Sequence, residues 1–435
     1  MIYLYGCQQV LIPADNDVKA ILEFICSEAN KLSNCAVYYA RQIWFKAKGY
    51  ITKFELDNEM KSNRHFQTLY SQAAQQLCRS VYESFASFKQ LNALYYRGEL
   101  ADKPRPPKYR KNGFNLVSYP KQALKLKDGQ IRIPLGSQLK AWFKLDSFSL
   151  PMPSNLRFDD IKELRILPRN CCFYAEFVYK TSVAKPDVDK TKVLGIDHGL
   201  SNWLTCVSNV GTSFIIDGKH IKSLNRWYNK QVASIKENKP QGFWSKKLAA
   251  ITEKRNRQIR DAINKTARIV INHCLDNRIG RVVFGWGQGI KQEINLGKKL
   301  NQQFVQIPTA RLKERIKQLC QQYDIEFVET EEANTSAASF VDGDTLPKHG
   351  EKPFKGWKSS GRRVKRGLFR TAMDWYINAD CNGAANIIRK VSTTLGLDLS
   401  GVSRGALTHP TRIYIWVTAK KKHSNVALAR CVASF

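Results

Sequence analysis

The run Val193-Leu194-Gly195-Ile196-Asp197 constrains this 435-residue chain more than any other stretch. Its apolar residues have the length of a buried strand. It ends in a carboxylate where a core strand would normally carry another apolar side chain. The residues after it read as a turn and a second strand, and Phe214–Gly218 as a third. A basic helical region over 219–278 follows, read as an insertion in the domain, with Lys246, Lys247, Lys254, Arg255, Arg257, Arg260 and Arg268. Residues 281–287 (RVVFGWG) make a fourth strand, Pro308–Tyr323 a helix, Ile325–Glu329 a fifth strand and Asn378–Val391 a last helix.

Three strands, a helix, then alternating strand and helix is the order of an RNase H-like α/β domain, here over residues 190–391. The predicted fold class is therefore α/β plus β, because the N-terminal part reads differently. Residues 1–14 begin with a strand-like run. Residues 15–99 are helical, with Leu22, Ile25, Ala29, Leu32 and Ala36 on one face and Leu69, Ala73, Leu77, Val81 and Phe85 on another. Residues 100–184 return to short strands. Asp128-Gly129 marks one hairpin, and Pro168-Arg169-Asn170 separates another pair. Together 1–14 and 100–184 predict a small β-barrel or sandwich interrupted by a helical insertion. Lys185–Thr191 reads as a charged linker, and 392–435 as a basic, loosely ordered tail.

Charge narrows the partners. Lys and Arg number 70 against 37 Asp and Glu, a formal charge of +33, in a chain that is still 43% hydrophobic. A folded protein that tolerates such self-repulsion needs a polyanion, and nucleic acid fits better than a membrane surface. No apolar run reaches the ~18 residues of a membrane span, and the first residues do not resemble a signal peptide. The eleven Cys form no Cys-x-x-Cys pair, which predicts reduced thiols in a cytoplasmic setting and no zinc site. Residues 100–112 hold Lys103, Arg105, Lys108, Tyr109, Arg110 and Lys111 among three prolines. They predict an extended arm along a phosphate backbone. A plain linker is the alternative.

Three acidic sites stand out: Asp197, the pair Glu331 and Glu332 after the fifth strand, and Asp380 at the start of the last helix. Singly, each could be a turn or cap residue. Gathered on one rim they make an all-oxygen site suited to Mg²⁺, and two ions ~4 Å apart suit phosphodiester hydrolysis. His198, beside Asp197, reads as structural.

The segments GIDHGLSNWLTCVSN, TEEANTSAASFVDGDTLP, SGRRVKRGLFR and INADCNGAANIIRKV resemble the TnpB family, transposon-encoded relatives of type V CRISPR nucleases. The resemblance implies a RuvC-like nuclease domain from about 190. It also implies a wedge-like β-domain over 1–14 and 100–184 and a helical recognition lobe over 15–99. It further implies an RNA-guided DNA endonuclease that uses a transposon-encoded noncoding guide RNA, acts on double-stranded DNA beside a short flanking motif, and works as a bacterial, nucleoid-associated monomer with its RNA. Two departures are visible. Gly285 stands where most members end the fourth strand in a catalytic Glu, and residues 337–377 lack the four Cys of a zinc ribbon. The sequence resembles a subgroup with the pattern EExxTSxxSF in which the glutamate has moved to the next strand end. Asp197, Glu332 (or Glu331) and Asp380 are then the expected catalytic ligands. The ribbon gives way to a basic segment with Lys352, Lys355, Lys358, Arg362, Arg363, Lys365 and Arg366, expected on the nucleic-acid backbone. Lys254, Arg255 and Arg257 are expected to bind nucleic acid too. A nuclease-dead RNA-guided repressor and a DNA strand-transfer transposase are the alternatives.

Overall fold

The computed structural model describes residues 3–111, 113–287, 307–347 and 357–416. It divides into two compact units, Tyr3–Thr181 and, from Ser182, the rest of the described chain.

The N-terminal unit is built on a long helix, α1 (Asn16–Ala47), started by the Asp15 carboxylate accepting from Val18 N at 2.8 Å. Ile21, Leu22, Ile25, Ala29, Leu32 and Ala36 recur at steps of three and four and are all buried. They pack against α4 (Ser71–Tyr96), whose Ala73, Leu77, Val81, Phe85 and Phe88 form the facing stripe. Between them lie α2 (Lys53–Lys61), opened by a Thr52–Glu55 capping box, and α3 (Arg64–Thr68). β1 (Tyr3–Leu11), β7 (Cys172–Ser182), β6 (Ile161–Arg169) and β2 (Val117–Pro120) make one sheet in that order. β3 (Lys125–Lys127), β4 (Gln130–Pro134) and β5 (Ser147–Pro151) make a second, followed across the β4–β5 connection by α5 (Ser137–Phe143). These are separate open sheets, so no closed barrel forms among the described residues.

The first hairpin is built as expected. Asp128 and Gly129 both take positive φ, +53° and +71°, and close β3 onto β4. The second is shifted. Pro168 and Arg169 remain in β6, and the turn falls on Asn170 and Cys171, with φ of 48° and 61°. Cys171 is thus a turn residue rather than part of a strand.

The second unit centres on a six-stranded sheet of β8 (Asp189–His198), β9 (Asn202–Ser208), β10 (Ser213–Asp217), β11 (Ile279–Gly285), β12 (Glu326–Thr330) and β16 (Thr411–Ile413). The order is β12-β11-β8-β9-β10-β16, with β9 antiparallel to β8 and β10, and with β11, β12 and β8 mutually parallel. Side chains alternate across it. Leu194 and Ile196 join the core under α7 (Lys246–Asp276) and α8 (Thr309–Gln322). Val193 packs with Ile387 and Ile388 of α9 (Ala379–Leu395) on the other face. Gly195 and Asp197 share the α9 face. A Cβ on Gly195 would lie 2.6 Å from the Ala384 carbonyl oxygen, so only glycine lets α9 approach this closely.

Three expectations need correcting. The 219–278 region is no insertion: Ile259, Ala262, Ala267, Val270 and Cys274 give α7 an apolar stripe that joins the sheet's core, while its basic face stays outside. The linker over Lys185–Thr191 ends early, because β8 already begins at Asp189. The segment from 392 is not a loose tail as far as it is described. Ser403 caps a short helix, Arg404–Thr408, Leu407 is fully buried, and β16 joins the sheet edge parallel to β10. The tail cations Lys420, Lys421 and Lys422, and Lys352 and Lys355, lie outside the described residues. Part of 337–377 forms an antiparallel sheet of β13 (Arg362–Lys365), β14 (Leu368–Arg370) and β15 (Tyr376–Asn378).

Candidate active site

β8 and β12 end at one edge of the sheet, and α9 starts beside them. That coincidence opens a cleft of about 1270 Å³ lined by Asp197, Glu331, Glu332 and Asp380, with Lys219, Arg363, Arg366 and Arg412 on its walls. Asp197 points toward α9 because it is two residues on from Gly195 in the same strand. A Cβ on Gly383 would come within 3.1 Å of the Asp197 Oδ2 atom, so the carboxylate rests on a bare turn of that helix. Burial pushes Asp197 well above the usual carboxylate range, and the charges of Glu332 and Asp380 push it further. Glu332 is raised as well, first by burial, with Glu331 adding and an amide hydrogen bond from Gly287 opposing.

Asp380 is held from two sides. Asn378 caps α9, accepting from the Asp380 and Cys381 amides at 3.0 and 3.1 Å. The Asp380 side chain then accepts from Asn202 Nδ2 at 2.6 Å and from Arg363 Nη2 at 3.0 Å. The two glutamates separate cleanly. Glu331 turns back to pair with Lys390 and to cap the Ala333 amide. Glu332 reaches into the cleft, 3.6 Å from His198 Nε2. His198 itself sits against Trp286, with ring centroids 5.3 Å apart. As the side chains stand, no three His, Cys, Asp or Glu among the described residues are close enough to ligate one ion. Arg363 takes up the Asp380 carboxylate instead.

Asn382 is fully buried and clips the loop after the two glutamates to α9. It donates to the Ala338 carbonyl at 2.7 Å and accepts from the Phe340 amide at 2.9 Å.

The expected nucleic-acid contacts divide. Lys103, Arg105, Lys108, Tyr109, Arg110 and Lys111 lie exposed on an irregular arm. Asn34 clips that arm by a two-way bond with the Arg110 backbone, and Arg41 donates to the Pro107 carbonyl at 2.9 Å. The Arg41 guanidinium lies 5.5 Å from the Tyr109 ring, so that ring already has a stacking partner. Lys254 and Arg257 are exposed on α7. Arg255 is a correction: its guanidinium donates to Asn225 Oδ1 at 2.8 and 3.0 Å and covers Tyr228, tying α7 to α6 (Lys219–Lys236). Arg362 and Lys365 are exposed, but Arg363 and Arg366 point into the cleft, where Arg366 donates to Ser201 Oγ at 2.6 Å. Asn202 and Arg412 are site residues that the sequence did not single out.

Residues 176–287 match the family model OrfB_IS605, described as a probable transposase. The TnpB resemblance holds. A search of curated proteins finds no match. Among solved structures, the Cas12f1–sgRNA–target DNA complex is similar at 15% identity. The match covers 86% of this chain and 83% of that one, with a TM-score of 0.55. The TnpB-like chain therefore shares the mixed α/β fold of that Cas12f1 protein. A CRISPR-Cas12f ternary complex matches at 15% identity over 86% of this chain and 82% of that one, with a TM-score of 0.33. No helix among the described residues is long and apolar enough to cross a membrane.

Proposed function

We propose that this chain is an RNA-guided DNA endonuclease whose second unit is an RNase H-like, RuvC-type nuclease domain. The observation that carries the reading is the meeting of Asp197, Glu332 and Asp380 on one arginine-walled cleft. The strand order supports the domain assignment, with a central β8, an antiparallel β9 and parallel β11 and β12 beside it. A guide RNA and a target DNA are the partners by analogy with the Cas12f1 complex, and a charge of +33 suits a chain that grips phosphates.

Asp197, Glu332 and Asp380 would hold Mg²⁺, one or two ions. The donor set fits: all are hard oxygens, and the burial and mutual repulsion that raise Asp197 are what a cation would offset. When bound, Mg²⁺ would supply charge stabilisation on the reacting phosphate and a lowered water pKa. The chain's own residues do the rest. Asn378 fixes the start of α9, Asn202 orients Asp380, and Arg363, Arg366 and Lys219 line the way for a phosphate backbone. Glu331 has the structural task of pairing Lys390.

A second reading, guided binding without cutting, is favoured by Gly285 and by the Arg363–Asp380 pair, which occupies a ligand oxygen. Cleavage of a guided duplex by protein with its co-purified RNA, with and without Mg²⁺, separates the readings. Mg²⁺-dependent cuts lost in Asp197→Ala with binding retained support the nuclease. Binding with no cut by wild type supports the repressor. Joined strands would mean strand transfer.

A further inference from the structure

Asp380 is oriented by a chain of contacts that begins at the far end of the sequence. Asn202, the first residue of β9, gives its Nδ2 to Asp380 and accepts from Arg412 Nη1 on its Oδ1 at 2.9 Å. A guanidinium has only donors and an ionised carboxylate only acceptors. The amide between them therefore has one satisfactory orientation, with nitrogen toward Asp380. The same Arg412 nitrogen reaches Asp217 Oδ2 at 3.3 Å. Asp217 is itself buried, and its Oδ1 accepts from the Lys219 amide at 2.9 Å.

Arg412 arrives there because β16 pairs with β10, with Arg412 opposite Ile215. Trp416 pins the strand: its Nε1 donates to Asp261 on α7 at 3.2 Å, and its ring lies 4.5 Å from that of His220. The Arg412 side chain lines the cleft. Three separate anchors thus fix a residue 32 positions beyond Asp380 against the amide that orients it.

We propose that Arg412 is a positioning residue of the active centre, acting through Asn202 on Asp380, and that the C-terminal strand is part of the site. The proposal rests on the nuclease reading above. Partners one step removed from a metal ligand typically matter 10–100-fold in metal affinity or activity.

The test uses full-length protein with its co-purified RNA, as wild type, Arg412→Gln, Arg412→Lys, Asn202→Ala and the Arg412→Gln/Asn202→Ala double variant. Three quantities are measured: cleavage rate against Mg²⁺ concentration, the Mg²⁺-induced shift in melting temperature without DNA, and binding of the guided target. The Gln and Ala variants should need ~10- to 100-fold more Mg²⁺ in both metal readouts, with target binding close to wild type. The double variant should be no worse than the poorer single one, because both act through one contact. Arg412→Lys keeps a cation beside Asp217 and should recover part of the loss, which separates positioning from folding. Wild-type Mg²⁺ dependence in Arg412→Gln, or losses that simply add in the double variant, would overturn the proposal and leave the nuclease reading standing. A wild type that neither cuts nor shifts with Mg²⁺ would overturn both.

Discussion

Glu331 and Glu332 are adjacent, chemically identical, and given different work by a single backbone step. Glu331 meets Lys390, whose side chain is only 7% exposed, so Glu331→Gln should strand a buried cation. The expected loss is about 1–3 kcal/mol of stability, below that of a fully buried pair because Glu331 is partly exposed, with cleavage largely kept. Glu332→Gln should abolish cutting with little change in melting temperature. Denaturant unfolding and a cleavage assay on both variants check the pair, and equal cleavage by both would refute the assignment. Asp197 gives a third prediction. A carboxylate whose folded pKa is raised weakens the fold above its unfolded pKa, and that penalty fades as pH falls through the folded value. Asp197→Asn removes it at neutral pH, so the metal-free protein should melt a few degrees higher, at about 2–4 °C per kcal/mol. The same variant should lose the upward shift that Mg²⁺ gives wild type, as scanning calorimetry with and without Mg²⁺ would show.

At the scale of elements, the site depends on how tightly α9 lies across β8 and β11. Gly195 faces the Ala384 carbonyl and Gly285 faces Ile387, whose Cδ1 would be 2.4 Å from an added Cβ. Ile387 is fully buried and has nowhere to go. Restoring a carboxylate by Gly285→Glu should therefore destabilise the unit, not rescue or enhance cutting. Even Gly285→Ala should cost about 1–3 kcal/mol by overpacking. Gly195→Ala should cost more, since the Ala384 carbonyl stands in the way as well as the Ile388 side chain, and backbone cannot swing aside. Thermal denaturation of the two alanine variants checks the order. This close packing is also a physical reason for a glutamate on the next strand end: the end of β11 is roofed by α9, whereas the loop after β12 opens to the cleft.

Over the whole molecule, charge governs behaviour. The exposed arm of Lys103, Arg105, Lys108, Arg110 and Lys111 and the outer face of α7 present cations with few acids near them. RNA binding should weaken steeply with salt, log K falling by roughly 0.7–0.9 per phosphate neutralised for each decade of salt. Replacing Lys108, Arg110 and Lys111 by Gln should shrink that slope, whereas Arg255→Gln should loosen the α6–α7 contact and leave the slope unchanged. Filter binding across a salt series distinguishes the two, and a slope unaffected by the arm variant would remove the arm from the interface.

The apolar periodicities of α1, α4 and β8, the Asp128-Gly129 turn and the acidic residues at strand and helix ends were all legible from local chemistry. Backbone geometry at a tight turn and the burial of an apolar stripe depend on neighbours a few residues away. The basic face of α7 was legible too, but it concealed the stripe at Ile259, Ala267 and Val270 that makes this helix part of the core. Local sequence leaves undecided whatever depends on residues brought together from far apart. Arg363 is claimed by Asp380, Arg255 by Asn225, and Glu331 by Lys390 across 59 positions. Arg412 meets Asn202 across 210. A charge is free for a ligand only if nothing nearer satisfies it. Which neighbour comes near was decided by the pairing of β16 with β10 and by the seating of α9 on two glycines.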